Sequence, residues 1–258
     1  IIQRLKADPF WGVRAEAAEC LGDVRNYGSL QALLAAPKEE KKSKVRSRIC
    51  QALGKFRDKA AADALLEVLE KDPSPVTRGS AAAALGATKD GRAYEALVRA
   101  LETKTWHDVV AARAYTGLRS LRDDRAIPHF MKGARYGAPK GARAAAIAAL
   151  GEFGLDKKEI TSFLIDLLDD PSRTVLFAAT EALAKRFDPS VTGAIEEQAH
   201  KVVDGHYKAL AFRSARRVRE SLRKPLELQD LDESLGKLKE ENRKLQARLE
   251  KLEAQVKI

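Results

Sequence analysis

The chain has 258 residues, 45% hydrophobic but only 6% aromatic, and carries 47 Lys and Arg against 37 Asp and Glu for a net charge of +10. A core must therefore be assembled from Ala and Leu rather than from large rings, and no run of about 18 apolar residues offers a membrane span. There is no basic, apolar, small-residue export signal at the N-terminus. Cys20 and Cys50 sit at small-residue positions, which reads as reduced thiols in a cytoplasmic setting.

In chain order, Ile1 to Leu5 reads as the tail of a helix with no capping repeat before it, so the expectation is a piece of a longer protein. Asp8 to Val24, DPFWGVRAEAAECLGDV, then sets a pattern that recurs. Aligning its copies on the terminal glycine puts Gly22, Gly54, Gly86, Gly117 and Gly151 in register, with Ala184 as a sixth; the steps are 32, 32, 31, 34 and 33 residues. A period near 32 predicts a solenoid of helical hairpins. Before each anchor runs a small, apolar stretch, such as AEAAECL, SRICQAL and GSAAAAL. Small side chains at these spacings predict inner helices buried on both sides. Amphipathic segments at 29–40, 61–72, 93–102, 126–134, 157–170 and 191–203 predict the outer helices. Asp8-Pro9, Asp72-Pro73, Asp170-Pro171 and Pro139 mark turns in which Asp caps the following helix and Pro suits its first turn.

After Pro225 the character changes, which predicts two parts: a solenoid over 1–224 and a heptad helix over 225–258. Leu228, Leu231, Leu235, Leu238, Leu245, Leu249, Leu252 and Val256, with Asn242 at the vacant a position, form the candidate seam of a homodimer. A lone Asn at a favours a parallel two-stranded register. The rival is a single helix folding back on the last repeat.

Residues 225–258 hold seven basic and eight acidic side chains, so the positive charge belongs to the solenoid. Its densest cluster, Arg213, Arg216, Arg217, Arg219, Arg223 and Lys224, would ring a helix rather than stripe it, and aromatic residues are too few for base stacking, which disfavours a nucleic-acid partner. Eight residues before their anchors stand Arg14, Arg46, Arg78 and Arg143, with Val109 and Leu176 in the other two copies. One arginine per repeat predicts a structural ladder paired with the Asp of adjacent turns, because charge near a core must be paired. Trp11 and Trp106 both lie eleven residues before an anchor and read as structural plugs at the hairpin turn.

No catalytic, cofactor-binding or metal-binding residue emerges. His107, His129, His200 and His206 form no H-E-x-x-H or comparable ligand pattern, and the glycines are repeat anchors rather than a phosphate loop. By this reading the chain is not itself an enzyme.

Asp-Pro, then Val-Arg, then an Ala-rich run closing on Leu-Gly resembles HEAT repeats of the phycobilisome-lyase-like kind, over residues 1 to about 188 closely and 189–224 loosely. The resemblance implies an all-α fold: a right-handed α-solenoid of about six to seven hairpins, followed by a coiled-coil helix. Asp8 to Ala18 also resembles the segment after the catalytic core in a branch of the aminopeptidase N family of zinc peptidases, whose C-terminal HEAT array ends in a leucine heptad tail. That implies a parent enzyme with zinc on H-E-x-x-H and a distant Glu, and a G-x-M-E-N loop for the substrate amine. Neither motif occurs here, and the single Met is Met131. Three functions follow as expectations: a non-catalytic domain shaping substrate access beside an N-terminal catalytic domain; a free-standing adaptor gripping a protein or peptide on its concave face; and, third, a basic nucleic-acid-binding solenoid.

Overall fold

A computed structural model describes residues 1–188 and 190–221, together with 235, 238 and 240, and every regular element among them is helical. They divide into two compact units, 1–186 and 187–258. In the first unit the small, Ala-rich stretches form α2 (Trp11–Val24), α4 (Ser43–Leu53), α6 (Pro75–Thr88), α8 (Val109–Leu121), α10 (Lys140–Leu150) and α12 (Arg173–Arg186). The amphipathic stretches form α1 (Ile2–Ala7), α3 (Tyr27–Glu39), α5 (Lys59–Lys71), α7 (Ala93–Leu101), α9 (Ile127–Ala134) and α11 (Lys158–Asp166). The chain alternates between the two sets, which makes the described repeats an α-solenoid of helical hairpins.

Three helices, α3, α5 and α6, begin where a short polar side chain satisfies free amides of the first turn. Asn26 Oδ1 accepts from the Ser29 amide at 2.8 Å, Asp58 Oδ1 from Ala60 at 2.7 Å, and Ser74 Oγ from Thr77 at 3.4 Å with Pro75 opening α6. Several inner helices end on a left-handed residue that is basic rather than glycine: Arg25, Lys89 and Arg122. A cation there faces the negative end of the helix dipole.

Each inner helix packs on the next, α2 on α4, α4 on α6, α6 on α8, α8 on α10 and α10 on α12. The anchor glycines make this spacing attainable. A Cβ at Gly22 would lie 2.8 Å from Ala52 Cβ, one at Gly54 2.8 Å from Ala84 Cβ, and one at Gly151 2.7 Å from Ala182 Cα. The repeating glycine is thus the crossing point of neighbouring inner helices. Ala18, Ala82, Ala114, Ala146 and Ala182 are completely buried around these crossings, and Leu33, Leu65, Leu97, Phe130 and Leu164 fill the layer beneath the outer helices. Burying a Leu of this kind contributes about 1.5–3 kcal/mol.

Cys50 is fully buried in α4 and Cys20 half-buried in α2, both free thiols. Burial pushes the Cys50 thiol up to about 12, so at neutral pH it is a compact apolar side chain.

In the second unit α13 (Val191–Lys201) buries Val191, Ile195 and Ala199. A helix over 205–221, α14, is capped by Asp204, which accepts from the His206 amide at 2.8 Å, and buries Tyr207, Ala211, Ala215 and Val218. Arg213, Arg216 and Arg217 do not ring α14. They share one exposed arc opposite its buried positions, while Arg219 turns to Glu196 of α13 at 2.6 Å. The burial of Tyr207, Ala211, Ala215 and Val218 fixes which way the helix faces. Of the candidate dimer seam, Leu235 and Leu238 are helical and exposed. Leu228, Leu231, Asn242, Leu245, Leu249, Leu252 and Val256 lie outside the described residues. No helix among the described residues is long and apolar enough to cross a membrane.

Candidate functional site

Because the inner helices run parallel, the turns that enter them share one edge of the first unit. There Arg14 meets Glu40 through two bonds, Nε to Oε2 at 2.6 Å and Nη2 to Oε1 at 3.0 Å, and its Nη1 reaches the Asp8 carbonyl at 2.8 Å. Arg46 holds Asp72 in the same way at 2.6 and 2.9 Å, with Nη1 on the Glu40 and Lys41 carbonyls. Arg143 holds Asp170 at 2.5 and 3.3 Å while its Nε donates to the Ala134 carbonyl at 3.0 Å. Each acid also accepts the amide two residues further on, from Lys42, Ser74 and Ser172 at 2.8, 2.8 and 2.9 Å. An arginine of one repeat therefore fastens the turn that opens the next inner helix, by the paired geometry in which guanidinium and carboxylate fit best.

The fourth arginine departs from the expected ladder. Arg78 Nε donates to the Leu69 carbonyl at 2.9 Å, and no acid among the described residues pairs with it. The physical reason is local sequence: the turn into α8 reads Glu102-Thr103-Lys104-Thr105, and twenty-six residues on from Arg78, the interval of the Arg14 and Arg46 rungs, stands Lys104. The first rung also uses Glu40 where an Asp was expected. That residue precedes Arg46 by six positions, as Asp8 precedes Arg14 and Asp72 precedes Arg78, a spacing that could have identified it.

The electrostatic consequence is a matter of sign. The Arg14 side chain holds Glu40 below the usual carboxylate range. For Asp170 burial pushes the carboxyl up, but Arg143 and the Ser172 amide outweigh it and the net displacement is downward. A carboxylate lowered by folding stabilises the native state above its unfolded value, about 4, and that contribution is lost as pH falls through the native value. The thermal midpoint is therefore expected to hold near neutrality and to fall progressively below about pH 4, as followed by circular dichroism; a midpoint unchanged into strong acid would show that the ladder does not stabilise the fold.

The two tryptophans are not equivalent plugs. Trp11, in the first turn of α2, is half-buried beneath the Lys44 ammonium, 4.9 Å from the ring centre. Trp106 is 82% exposed in a 3-10 turn and stacks edge-on against His107 at 4.1 Å. His107 and Asp108 both adopt the left-handed conformation there, so the turn carries its indole outward instead of under the next repeat.

At the opposite edge, where the inner helices end, Lys55 meets Asp23 at 2.5 Å and Lys89 donates to the Ser120 carbonyl. Glu152 gathers Lys185 at 2.8 Å, Arg122 at 3.5 Å and Arg119 at 3.9 Å. Arg186, which sequence reasoning passed over, is 5% exposed. It donates to the Leu150, Phe153, Gly154 and Lys157 carbonyls and to Thr161 Oγ1, which ties the end of α10 to the start of α11. Nothing in its spacing announces this, because three of the four carbonyls it collects, those of Phe153, Gly154 and Lys157, come from a loop without a repeat signature.

Between the two edges the inner helices leave one row of positions at least partly uncovered: Lys44, Arg48 and Gln51 on α4 and Arg113 on α8 are exposed, while Ala83 and Ala87 on α6, Thr116 on α8, and Ala144 and Ala148 on α10 are half-buried. Among the described residues no three His, Cys, Asp or Glu side chains are grouped to hold a metal. His129 packs near Tyr94 at 6.4 Å and His200 near Phe212 at 5.7 Å.

The family profile described as HEAT repeats matches residues 1–86, 62–151 and 127–216. The chain belongs to the HEAT-repeat family. Among solved structures the HEAT array is similar to the complex of CpcE and CpcF of phycocyanin lyase from Nostoc sp. PCC7120, at 22% identity and a TM-score of 0.58, covering 85% of this chain and 91% of that one. Human deoxyhypusine hydroxylase in complex with glycerol matches at 16% identity and a TM-score of 0.41, over 85% of this chain and 94% of that one. Computationally designed armadillo repeat proteins for modular peptide recognition match at 15% and 0.33, over 84% and 97%. No curated protein matches the chain.

Proposed function

We propose that this HEAT array is a non-catalytic scaffold that binds a partner protein or peptide across its inner helices. The observation that carries the reading is the partly uncovered row on consecutive parallel helices. It runs from the basic α4 through the small residues of α6 to Arg113 and Thr116 of α8, a mixed surface on which charge sets register and the alanines admit close contact. Helical solenoids present extended surfaces of this kind. The CpcE and CpcF structure, a complex of two proteins, supports the reading at the level of fold. The ladder acids are absorbed in holding the turns and are not available as acid or base groups.

The test is site-specific photocrosslinking. A crosslinker at Ala87 or Arg113 should trap one defined protein that a crosslinker at Glu95, exposed on α7, does not, and the purified pair should lose about ten-fold affinity on Arg48→Glu or Arg113→Glu. The absence of a defined adduct from every uncovered position would remove the scaffold reading.

A finer reading places the array at the C-terminal end of an aminopeptidase N-like zinc peptidase, with zinc and catalysis on an N-terminal domain. It rests on the Asp8 to Ala18 segment and the heptad positions, and no matched family or solved structure adds to it. The open reading frame upstream of Ile1 decides it: H-E-x-x-H and G-x-M-E-N there would establish the parent, and an unrelated domain would dismiss it.

A further inference from the structure

We propose that the interrupted rung at Arg78 is a docking point for a carboxylate of the partner, and that the exposed Trp106 turn beside it receives an adjacent apolar side chain of the same acidic segment. This rests on the scaffold reading and specifies the chemistry of the partner.

Three sister rungs show what the position is shaped to hold. Arg14, Arg46 and Arg143 each grip a carboxylate delivered by the following turn, with that carboxylate no more than 7% exposed. Arg78 keeps the backbone bond that Arg143 makes, from Nε to the carbonyl nine residues earlier, but it has no carboxylate. Its two Nη atoms have no hydrogen-bond partner among the described residues, and neither is fully buried. A guanidinium fixed at Nε and open at Nη is pre-organised for an acid, because little side-chain freedom remains to be lost on binding.

The surroundings point the same way. The first turn of α6 lies against the entry to α8: a Cβ at Gly79 would be 3.3 Å from the Val109 carbonyl oxygen and 3.1 Å from Arg113 Cγ. The 106–108 turn in turn lies against α10, whose own entry carries Tyr136, 83% exposed. Two large rings thus stand uncovered on neighbouring turns. Around them Lys104, Arg113, Arg135 and Lys140 are exposed, against Glu102, also exposed, and Asp108. Around these two turns the exposed cations outnumber the exposed acids, so the local field favours an incoming anion.

A guanidinium would accept phosphate as readily as carboxylate, but two features favour an acidic polypeptide. The sister rungs hold carboxylates in the homologous place. The rings come one to a repeat, and packed helices stand about 8–10 Å apart, whereas successive bases of a stacked strand are about 3.4 Å apart.

The experiment uses the full chain and a short fluorescein-labelled peptide of alternating Asp and Leu, read by anisotropy at low salt, beside an Asn-Leu peptide and an oligothymidylate of similar length. Binding is expected for the Asp-Leu peptide alone, weakened about ten-fold by Arg78→Ala and by Trp106→Ala. Arg78→Lys, which keeps the charge but loses the fork, should recover only part. Arg213→Ala on α14 should change nothing. Trp106 is too exposed to matter for folding, so its variant keeps the test valid if Arg78→Ala is unstable. Failure of the Asp-Leu peptide to bind, indifference to both variants, or tighter binding of the oligothymidylate with the same dependence would each overturn the proposal. Peptide binding that instead depends on Arg48 and not on Arg78 or Trp106 would overturn it while leaving the scaffold reading intact.

Discussion

Replacing Arg143 by alanine is expected to lower the unfolding free energy by about 3–5 kcal/mol, the usual cost of stripping one partner from a buried ion pair. The Arg143 side chain is 4% exposed and that of Asp170 7%, so the substitution leaves a carboxylate out of water with its Ser172 amide bond alone. It also frees the Ala134 carbonyl that Arg143 Nε held. Arg14→Ala is the internal comparison. That arginine is 16% exposed, water can replace part of what it gave Glu40, and the loss should be smaller. Urea denaturation followed by circular dichroism measures both. The double variant Arg143→Ala with Asp170→Asn should recover part of the loss, since the stranded charge is gone. Equal losses at Arg143 and Arg14 would show that burial does not set the strength of the ladder.

The second large effect concerns a glycine that ordinary helix chemistry would replace without penalty. In a helix interior, Gly to Ala stabilises by about 1 kcal/mol when nothing stands in the way. At Gly86 something does: an added Cβ would fall 2.7 Å from Gly117 Cα and closer still to the Gly117 carbonyl group. The contact is backbone on backbone, so no side chain can swing aside. Either α6 and α8 move apart, emptying the layer around Ala82, Ala114 and Leu118, or the variant stays strained. Gly86→Ala is expected to destabilise by about 1–3 kcal/mol and Gly86→Val by more. Gly141, in the first turn of α10, meets nothing within 4 Å, and Gly141→Ala should stabilise by about 0.5–1 kcal/mol. The same chemical change therefore carries opposite signs at two helical glycines. A stabilising Gly86→Ala would mean that the inner helices are not in contact at their anchors.

The repeat glycines, the Ala-rich runs and the Asp-Pro turns were enough to locate every inner helix. The outer helices begin and end within about two residues of the amphipathic segments, apart from α11, which gives way to a 3-10 turn at Leu167, an uncertainty normal for helix ends. These features are legible because they depend on near neighbours along the chain: side-chain periodicity and the small volume needed at each crossing. The arginines could be singled out for the same reason, since one charged residue recurring at a fixed step beside a buried run has few places to go. The Asp-Pro pairs mark the turns but do not cap the helices, since the cap positions of α2 and α6 are Phe10 and Ser74.

What the chain itself determined is thus the repeat, its hairpins, and the need for small residues and a paired charge in each copy. The tertiary structure decided which partner each charge meets. Glu40 replaces Asp in the first rung, Arg78 is left with a backbone bond and open Nη atoms, Arg186 collects carbonyls from a loop with no signature, and Trp106 faces water where Trp11 is covered. Those outcomes depend on which turn of the neighbouring repeat arrives beside a given side chain. Periodicity averages over such differences between copies, whereas a guanidinium beside an empty place and an indole in solvent depend on them directly.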